Sequence, residues 1–300
     1  MLGNGEAKKE AIRPDFNKSI FIDFAGAKIT SDAGFLLMRE VDQRFAIIES
    51  GCNHLVDERS ASHKKHTYEQ MIRQRVYQIA AGYEDCNDAE FLRVDPALRL
   101  ALDKGKQFGA SQSVMSRLEN DILGTSAGQD ALDAMITRST DVLLKRKNKR
   151  RLIMDVDSTE DPAHGNQEHM AYNGHFGKNC FHPLFCFTSD GDGLAAKLRP
   201  GNVHSANGTL ALIKPIVIRY RKKFKLFWLR GDSAFADPDT YVFCEGTRVT
   251  YFIRLRGNAV LARMIKPHLK RPVGRPPKNG VQTKYVDLEY QAKSWDKPRR

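Results

Sequence analysis

Three hundred residues, 41% of them hydrophobic, suffice to bury one large core or two modest ones, which excludes a wholly disordered chain. Forty-eight Lys and Arg against 36 Asp and Glu leave a net charge of +12, which favours a polyanionic partner, either nucleic acid or an anionic membrane surface. The opening MLGNGEAKKEAIRPDF lacks the apolar segment of a signal peptide, and no run approaches the roughly 20 apolar residues that span a bilayer, so secretion and membrane insertion are not expected. The five cysteines, Cys52, Cys86, Cys180, Cys186 and Cys244, are odd in number and never form C-x-x-C, which suits reduced thiols in a cytoplasm.

In chain order, residues 1–16 read as a disordered tail and SIFIDFAGAKIT as one or two short strands. From Ser31 to Ile48, Phe35, Met38, Val41 and Phe45 recur at helical spacing. A second helix begins at Thr67, where TYEQ has capping-box form, and Met71, Ile72, Val76, Ile79 and Ala80 make its apolar stripe. Helical patterns return in SQSVMSRLEN and QDALDAMITRSTDVLLK, so residues 17–150 are predicted to be a mostly helical region. It ends in the run KRKNKRR, Lys145, Arg146, Lys147, Lys149, Arg150 and Arg151 around one Asn, which reads either as a solvated boundary or as a phosphate-contacting patch.

The texture changes at Leu152, where apolar strands alternate with turns: LIMDVD, CFHPLFCFTSDGDG and LAAKLRPG. There follow a helix, TLALIKPIVIRYRKK, that Pro215 is expected to kink or interrupt, the strand KLFWLRGDS, a short helix from Pro238 to Glu245, the strand TYFIRLRG and the helix NAVLARMIKPHL. This order, with a β-β-β-α-β-α-β core over residues 151–269, predicts an α/β fold with a mixed sheet, its first strands antiparallel and later ones added by crossovers. Beyond it, residues 285–292 alternate Tyr285, Asp287, Glu289 and Gln291 with Val286, Leu288, Tyr290 and Ala292, as a strand would.

RLIMDVDSTE poses a chemical question, because in a strand Ile153, Asp155 and Asp157 share one face and two carboxylates on it need compensation. Asp232, in FWLRGDSAFAD, also follows an apolar strand. If Leu226 to Arg230 lies parallel beside Leu152 to Val156, Asp157 and Asp232 share one metal site although about 75 positions separate them. Hard cations such as Mg²⁺ take carboxylate oxygens, and two ions roughly 4 Å apart can activate an attacking oxygen and stabilise a leaving one on a phosphodiester. Either aspartate taken alone is as well explained as a turn former or helix N-cap.

LIMDVDST, NCFHPLFCF and LRGDSAFA, with FAGAKITSDAGFLLMREVDQR and DERSASHKKHTYEQMIRQRVYQIAAGYEDCNDAEFLRVDPALRLAL upstream, resemble bacterial insertion-sequence transposases of the DDE group-1 type over nearly the whole chain. The resemblance implies a ribonuclease-H-like catalytic domain and a two-metal site for Mg²⁺ or Mn²⁺. It implies cleavage and transfer of double-stranded DNA at insertion-sequence ends and target sites, a homodimer assembled on DNA, no membrane partner, and residence in the bacterial cytoplasm with the nucleoid. The family's first catalytic aspartate precedes a small residue and Thr, which maps to Asp157 before Ser158 and Thr159, with Asp155 a possible accessory acid; its second maps to Asp232. Its third acid is a glutamate on a later helix, and NAVLARMIKPHL holds no Asp or Glu. Residues 270–300 resemble the start of a strand-rich insertion, so the chain is expected to be a truncated copy lacking that acid. Two alternatives follow: a catalytically inactive DNA-binding remnant, and a metal-dependent nuclease.

Two weaker signals remain. HGNQEHMAYNGHFGKNCFH holds His164, His169, His175, His182 and Cys180 at a spacing that matches no common zinc finger or ribbon, and is read as loop and hairpin between the first two core strands, near DNA. RPVGRPPK has a Gly-Arg-Pro core that would let Arg275 enter an A·T-rich minor groove; a solvated linker is the competing reading.

Overall fold

The computed structural model describes residues 12–22, 32–60, 62, 64–105, 107–147, 150–269, 274, 283 and 285–300. The expectations placed on residues 1–11, on the strand-like residues 23–30, and on Lys149 and Arg275 lie outside the described residues. The chain divides into two compact units, Met1–Lys147 and Asn148–Arg300.

Unit one is helical: α1 (Gly34–Phe45), α2 (Ile47–Cys52), α3 (Tyr68–Ala80), α4 (Asp88–Leu92), α5 (Pro96–Ala101), α6 (Gln112–Arg117), and α7 (Ser126–Arg146), with a π-helical turn over Leu118–Leu123. The single helix expected from Ser31 to Ile48 is two, because Ala46 takes a left-handed conformation, with φ 51°, and donates its N–H to the Asp42 carbonyl. Its expected apolar stripe also differs: Val41 is exposed, while Arg39 and Asp42 are buried beside Phe35. Arg73 Nε donates to Asp42 at 2.9 Å, Tyr77 Oη donates to the same carboxylate, and Arg39 donates to Asp103, so polar groups replace apolar ones at the helical interface.

The capping box at Thr67 forms as read, with Thr67 Oγ1 accepting from Gln70 N–H and Gln70 Oε1 from Thr67 N–H, each at 3.2 Å. Met71 and Ile72 are buried, but Ile79 and Ala80 are exposed; Tyr77 and Gln78 take the inner positions at that end of α3. Two clusters form the unit's core, one around Ile48, Ile72, Met115 and Leu118, the other around Phe35, Leu92, Leu98 and Leu102. Burying each such side chain contributes about 1.5–3 kcal/mol. Gly51 allows α2 to approach α7 closely, since a Cβ there would stand 2.7 Å from the Ala131 carbonyl oxygen.

Unit two is built on a five-stranded mixed sheet. Its strands are β1 (Arg151–Ser158), β5 (Leu184–Thr188), β6 (Gly193–Lys197), β7 (Leu226–Gly231) and β8 (Val249–Ile253), in the order β6-β5-β1-β7-β8. Between β1 and β5 the chain forms a second, small sheet from β2 (Asp161–Pro162), β3 (Ala171–Asn173) and β4 (Lys178–Phe181), in the order β2-β4-β3. In the main sheet β5 is antiparallel to both of its neighbours, while β1, β7 and β8 run parallel. Helices α8 (Thr209–Tyr220) and α9 (Pro238–Thr247) connect the parallel strands, and α10 (Ala259–Ile265) follows β8. The core order is therefore β-β-β-α-β-α-β, as the sequence predicts.

Pro215 neither ends nor interrupts α8, which runs unbroken through it. Alternation along the strands assigns the two faces of the sheet. Leu152, Met154, Val156, Phe227, Leu229 and Cys186 point into the core, while Asp155, Asp157, Trp228 and Arg230 carry the opposite face. Residues 285–292 form no strand; Tyr290 makes an isolated bridge with Arg299, and Trp295 packs edge-on to Tyr241 of α9 at 5.1 Å. Among the described residues no helix is long and apolar enough to cross a membrane.

Candidate active site

The candidate residues Asp157 and Asp232 lie where β1 and β7 end. These strands pair in parallel with a constant offset of 75 residues, from Arg151 opposite Leu226 to Asp155 opposite Arg230. The pairing ends there; the same offset carried two residues further would set Asp157 opposite Asp232. Asp232 keeps an extended backbone, φ −79° and ψ −170°, so it prolongs the direction of β7 before the chain turns. Parallel strands lie about 4.8 Å apart, which brings the two backbones within reach of a shared ligand. Gly231 permits the turn after β7 to pack tightly, because a Cβ there would meet the Phe235 side chain at 3.1 Å.

Both aspartates are exposed, and each holds one local backbone hydrogen bond: Asp157 Oδ1 accepts from Ser158 N–H at 2.8 Å, and Asp232 Oδ1 from Ala234 N–H at 2.8 Å. The second bond caps the 3₁₀ turn Ser233–Phe235, so Asp232 also does the ordinary work of an N-cap. A carboxylate accepts through two oxygens, and these bonds leave lone pairs on each side chain for a cation.

One step back along both strands lies a different pair. Arg230 donates from Nε and Nη2 to the two oxygens of Asp155, each at 2.6 Å, a bidentate geometry. The Asp155 carboxylate, by direct hydrogen bond and then by charge, pushes the Arg230 guanidinium up from its ordinary value. The compensation that two same-face carboxylates require thus comes from β7: Asp155 is matched by arginine, and among the described residues Asp157 has no such partner. The sequence reading missed Arg230, though the signal was present, since Asp155 to Arg230 and Asp157 to Asp232 have the same 75-residue separation.

Arg151 opens β1 six residues before Asp157, which is about 20 Å along a strand, and Arg150 immediately precedes it. Arg151 stacks its guanidinium 3.9 Å from the centre of the Trp228 ring. Lys145 and Arg146 close α7, Lys147 caps it, and Arg146 lies 5.0 Å from the Phe45 ring.

The histidine-rich segment is dispersed. His182 is buried, its Nδ1 3.1 Å from the Val203 carbonyl; Cys180 is buried in the small sheet, and burial pushes its thiol up. Among the described residues no three His, Cys, Asp or Glu side chains gather as a metal cluster. The oxygen donors at Asp157 and Asp232 are of the kind that hard divalent cations take, but they are two, and α10 supplies no acid. Of the late acids, Asp287 is paired with Arg300.

No protein with a curated description matches the chain. Among solved structures, a piggyBac transposase synaptic complex with hairpin DNA is similar at 14% identity and a TM-score of 0.37, over 81% of this chain and 54% of that one. The chain therefore spans about half the length of that relative. The family model described as transposase DDE domain, group 1, matches residues 12–300, nearly the entire sequence, and the chain belongs to that family.

Proposed function

We propose that this chain catalyses divalent-metal-dependent cleavage of double-stranded DNA at the ends of an insertion sequence and transfer of the freed strand to target DNA, acting as a homodimer on DNA. The observation that carries the reading is the parallel pairing of β1 and β7 up to Asp155 and Arg230, whose 75-residue offset, carried on, would bring Asp157 and Asp232 side by side while Arg230 neutralises Asp155. Asp157 and Asp232 would hold Mg²⁺ or Mn²⁺, which when bound supplies an activated oxygen nucleophile and stabilises the leaving oxygen.

The protein's own contribution is positional. Two strands paired from Arg151 to Asp155 would hold the acids that follow at a set spacing, and the N–H groups of Ser158 and Ala234 orient one oxygen of each. Arg230 prevents a third negative charge from accumulating below them and so limits repulsion of the substrate phosphate. Lys145, Arg146, Lys147, Lys149, Arg150, Arg151 and Arg275 are proposed to contact the DNA backbone, which supplies most non-specific affinity.

A second reading is favoured by one observation, that no three His, Cys, Asp or Glu side chains gather as a metal site among the described residues. In it the chain binds element ends without cutting them. The separating experiment incubates the purified chain with labelled duplexes carrying the DNA that flanks its gene, with Mg²⁺ or Mn²⁺, beside Asp157→Ala and Asp232→Ala. Cleavage by the parent and at least a 100-fold loss in both variants supports catalysis, since losing a metal ligand removes several kcal/mol of transition-state stabilisation. Binding without cleavage in all three supports the remnant, and equal cleavage in all three removes these acids from the mechanism.

A further inference from the structure

Three chain connections meet at the end of the main sheet opposite the aspartates. Arg150 immediately precedes β1, and its carbonyl accepts from the N–H groups of Lys225 and Leu226, at 3.0 and 3.2 Å, where the chain enters β7. Arg221, at the end of α8, donates to the Thr247 carbonyl at 2.6 Å, which ties the same turn to the end of α9, where Arg248 caps the helix just before β8. Two stretches far apart in sequence, the end of KRKNKRR and the segment RYRKKFK, are thereby brought together with Arg248 between α9 and β8. Arg150, Arg151, Arg221, Lys222, Lys225 and Arg248 are all exposed there.

Local structure accounts for some of this charge but not for all of it. Cations at the C-terminal ends of α8 and α9 are favoured by the helix dipoles, and Arg221 serves as a carbonyl donor. Arg151 is stacked on Trp228. Lys222, Lys225 and Arg248 make no ion pair among the described residues, and one helix dipole calls for about half a charge, not several. The acids that could offset the cluster are Asp190 and Asp192, in the turn between β5 and β6, and Glu245 on α9, which Lys297 and Arg299 already hold. The Asp190–Asp192 turn lies beyond β5, so it adjoins β1 from the side away from β7.

We infer that this end of the sheet is a second phosphodiester-backbone contact, engaging a nucleic-acid duplex roughly 20 Å from the position of Asp157 and Asp232. Arg151 shares its strand face with Asp155 and Asp157, so a duplex laid along that face meets the acids at one end and the cationic cluster at the other. At 3.4 Å per base pair the separation corresponds to about six base pairs. The cluster fixes the direction in which DNA leaves the cleavage position, a role distinct from holding the reacting phosphate. The inference rests on the proposed function for its meaning, but the contact is testable without cleavage.

The test measures binding of the full chain to a mixed-sequence 30-base-pair DNA duplex as a function of salt. One variant carries Lys222→Gln, Lys225→Gln and Arg248→Asn, the last because Asn suits the left-handed backbone at that position, φ 57°. A control removes the same charge from exposed positions elsewhere in the unit, Lys214→Gln, Arg263→Gln and Lys293→Gln. Each phosphate contact contributes about 0.9 to the slope of log K against log salt, so the cluster variant is expected to lower the slope by about 2–3, with affinity near 0.1 M salt falling on the order of 100-fold. The control is expected to change the slope by less than about 1. Equal slopes in the two variants, an unchanged slope in the cluster variant, or no duplex binding by the parent would each overturn the inference. A cluster variant that binds DNA normally but loses affinity for vesicles containing phosphatidylserine would overturn it in favour of a membrane surface. A parent that binds with the expected slope and never cleaves would leave this contact standing and remove the catalytic reading.

Discussion

Arg230 grips Asp155 across two parallel strands through a pair of 2.6 Å hydrogen bonds, directly behind the two aspartates proposed to hold metal. Its side chain is half exposed, and that of Asp155 about one-third exposed, so screening by water keeps the energetic return small. A double-mutant cycle of Asp155→Asn and Arg230→Gln, read by urea unfolding, is expected to give a coupling of about 0.2–1 kcal/mol. A coupling above roughly 3 kcal/mol would mean that the pair is desolvated and does structural work. The pair's larger consequence is chemical: Arg230→Gln should weaken DNA cleavage more than stability, because it leaves Asp155 as an uncompensated negative charge beside the phosphate.

How far the site could be read in advance depended on which force sets each part. Alternation in LIMDVD and LFWLRGD gave both strands, because a sheet with one buried face imposes a period of two. That the two strands are neighbours, and parallel, followed from a helical crossover. The register is set by how the buried faces of the two strands, with Leu152 and Met154 beside Phe227 and Leu229, pack together, and its only trace in the sequence is the equal 75-residue spacing that also relates Asp155 to Arg230. In unit one the Thr67 cap was legible because it is local, within four residues. The inward positions of Arg39 and Asp42 were not, because a buried charge is stable only when a partner from elsewhere meets it, here Arg73 and Asp103.

That buried network gives a strong stability prediction. Asp42 accepts from Arg73, Tyr77 and the Ile48 backbone N–H, so removing it strands several donors together. Asp42→Ala should cost about 3–5 kcal/mol, the range for breaking a buried ion pair from one side. Urea unfolding followed by circular dichroism checks it; a loss below roughly 1 kcal/mol would show that water reaches the site.

Unit one should also lose stability on mild acidification. Burial first, and then the positive charges of Lys104, Lys65, Arg59 and Arg93, push His66 down from 6.5 to about 4. The unfolded chain therefore takes up this proton more readily than the folded one. The resulting stability is fully present above pH 6.5 and is lost as pH falls from there toward 4. Comparing urea midpoints at pH 7 and pH 4.5, the parent should fall further than His66→Gln. Parallel falls in the two proteins would place the acid sensitivity in other groups.

The most direct test of the central claim, that Asp157 and Asp232 act as one site, is calorimetric titration of Mn²⁺ into the chain with DNA present, for the parent, Asp157→Asn, Asp232→Asn and the double variant. Each single substitution is expected to abolish most of the binding, and the double to add little further, because either half alone is an incomplete ligand set. Mn²⁺ affinity unchanged in either single variant, or losses that simply add, would contradict it.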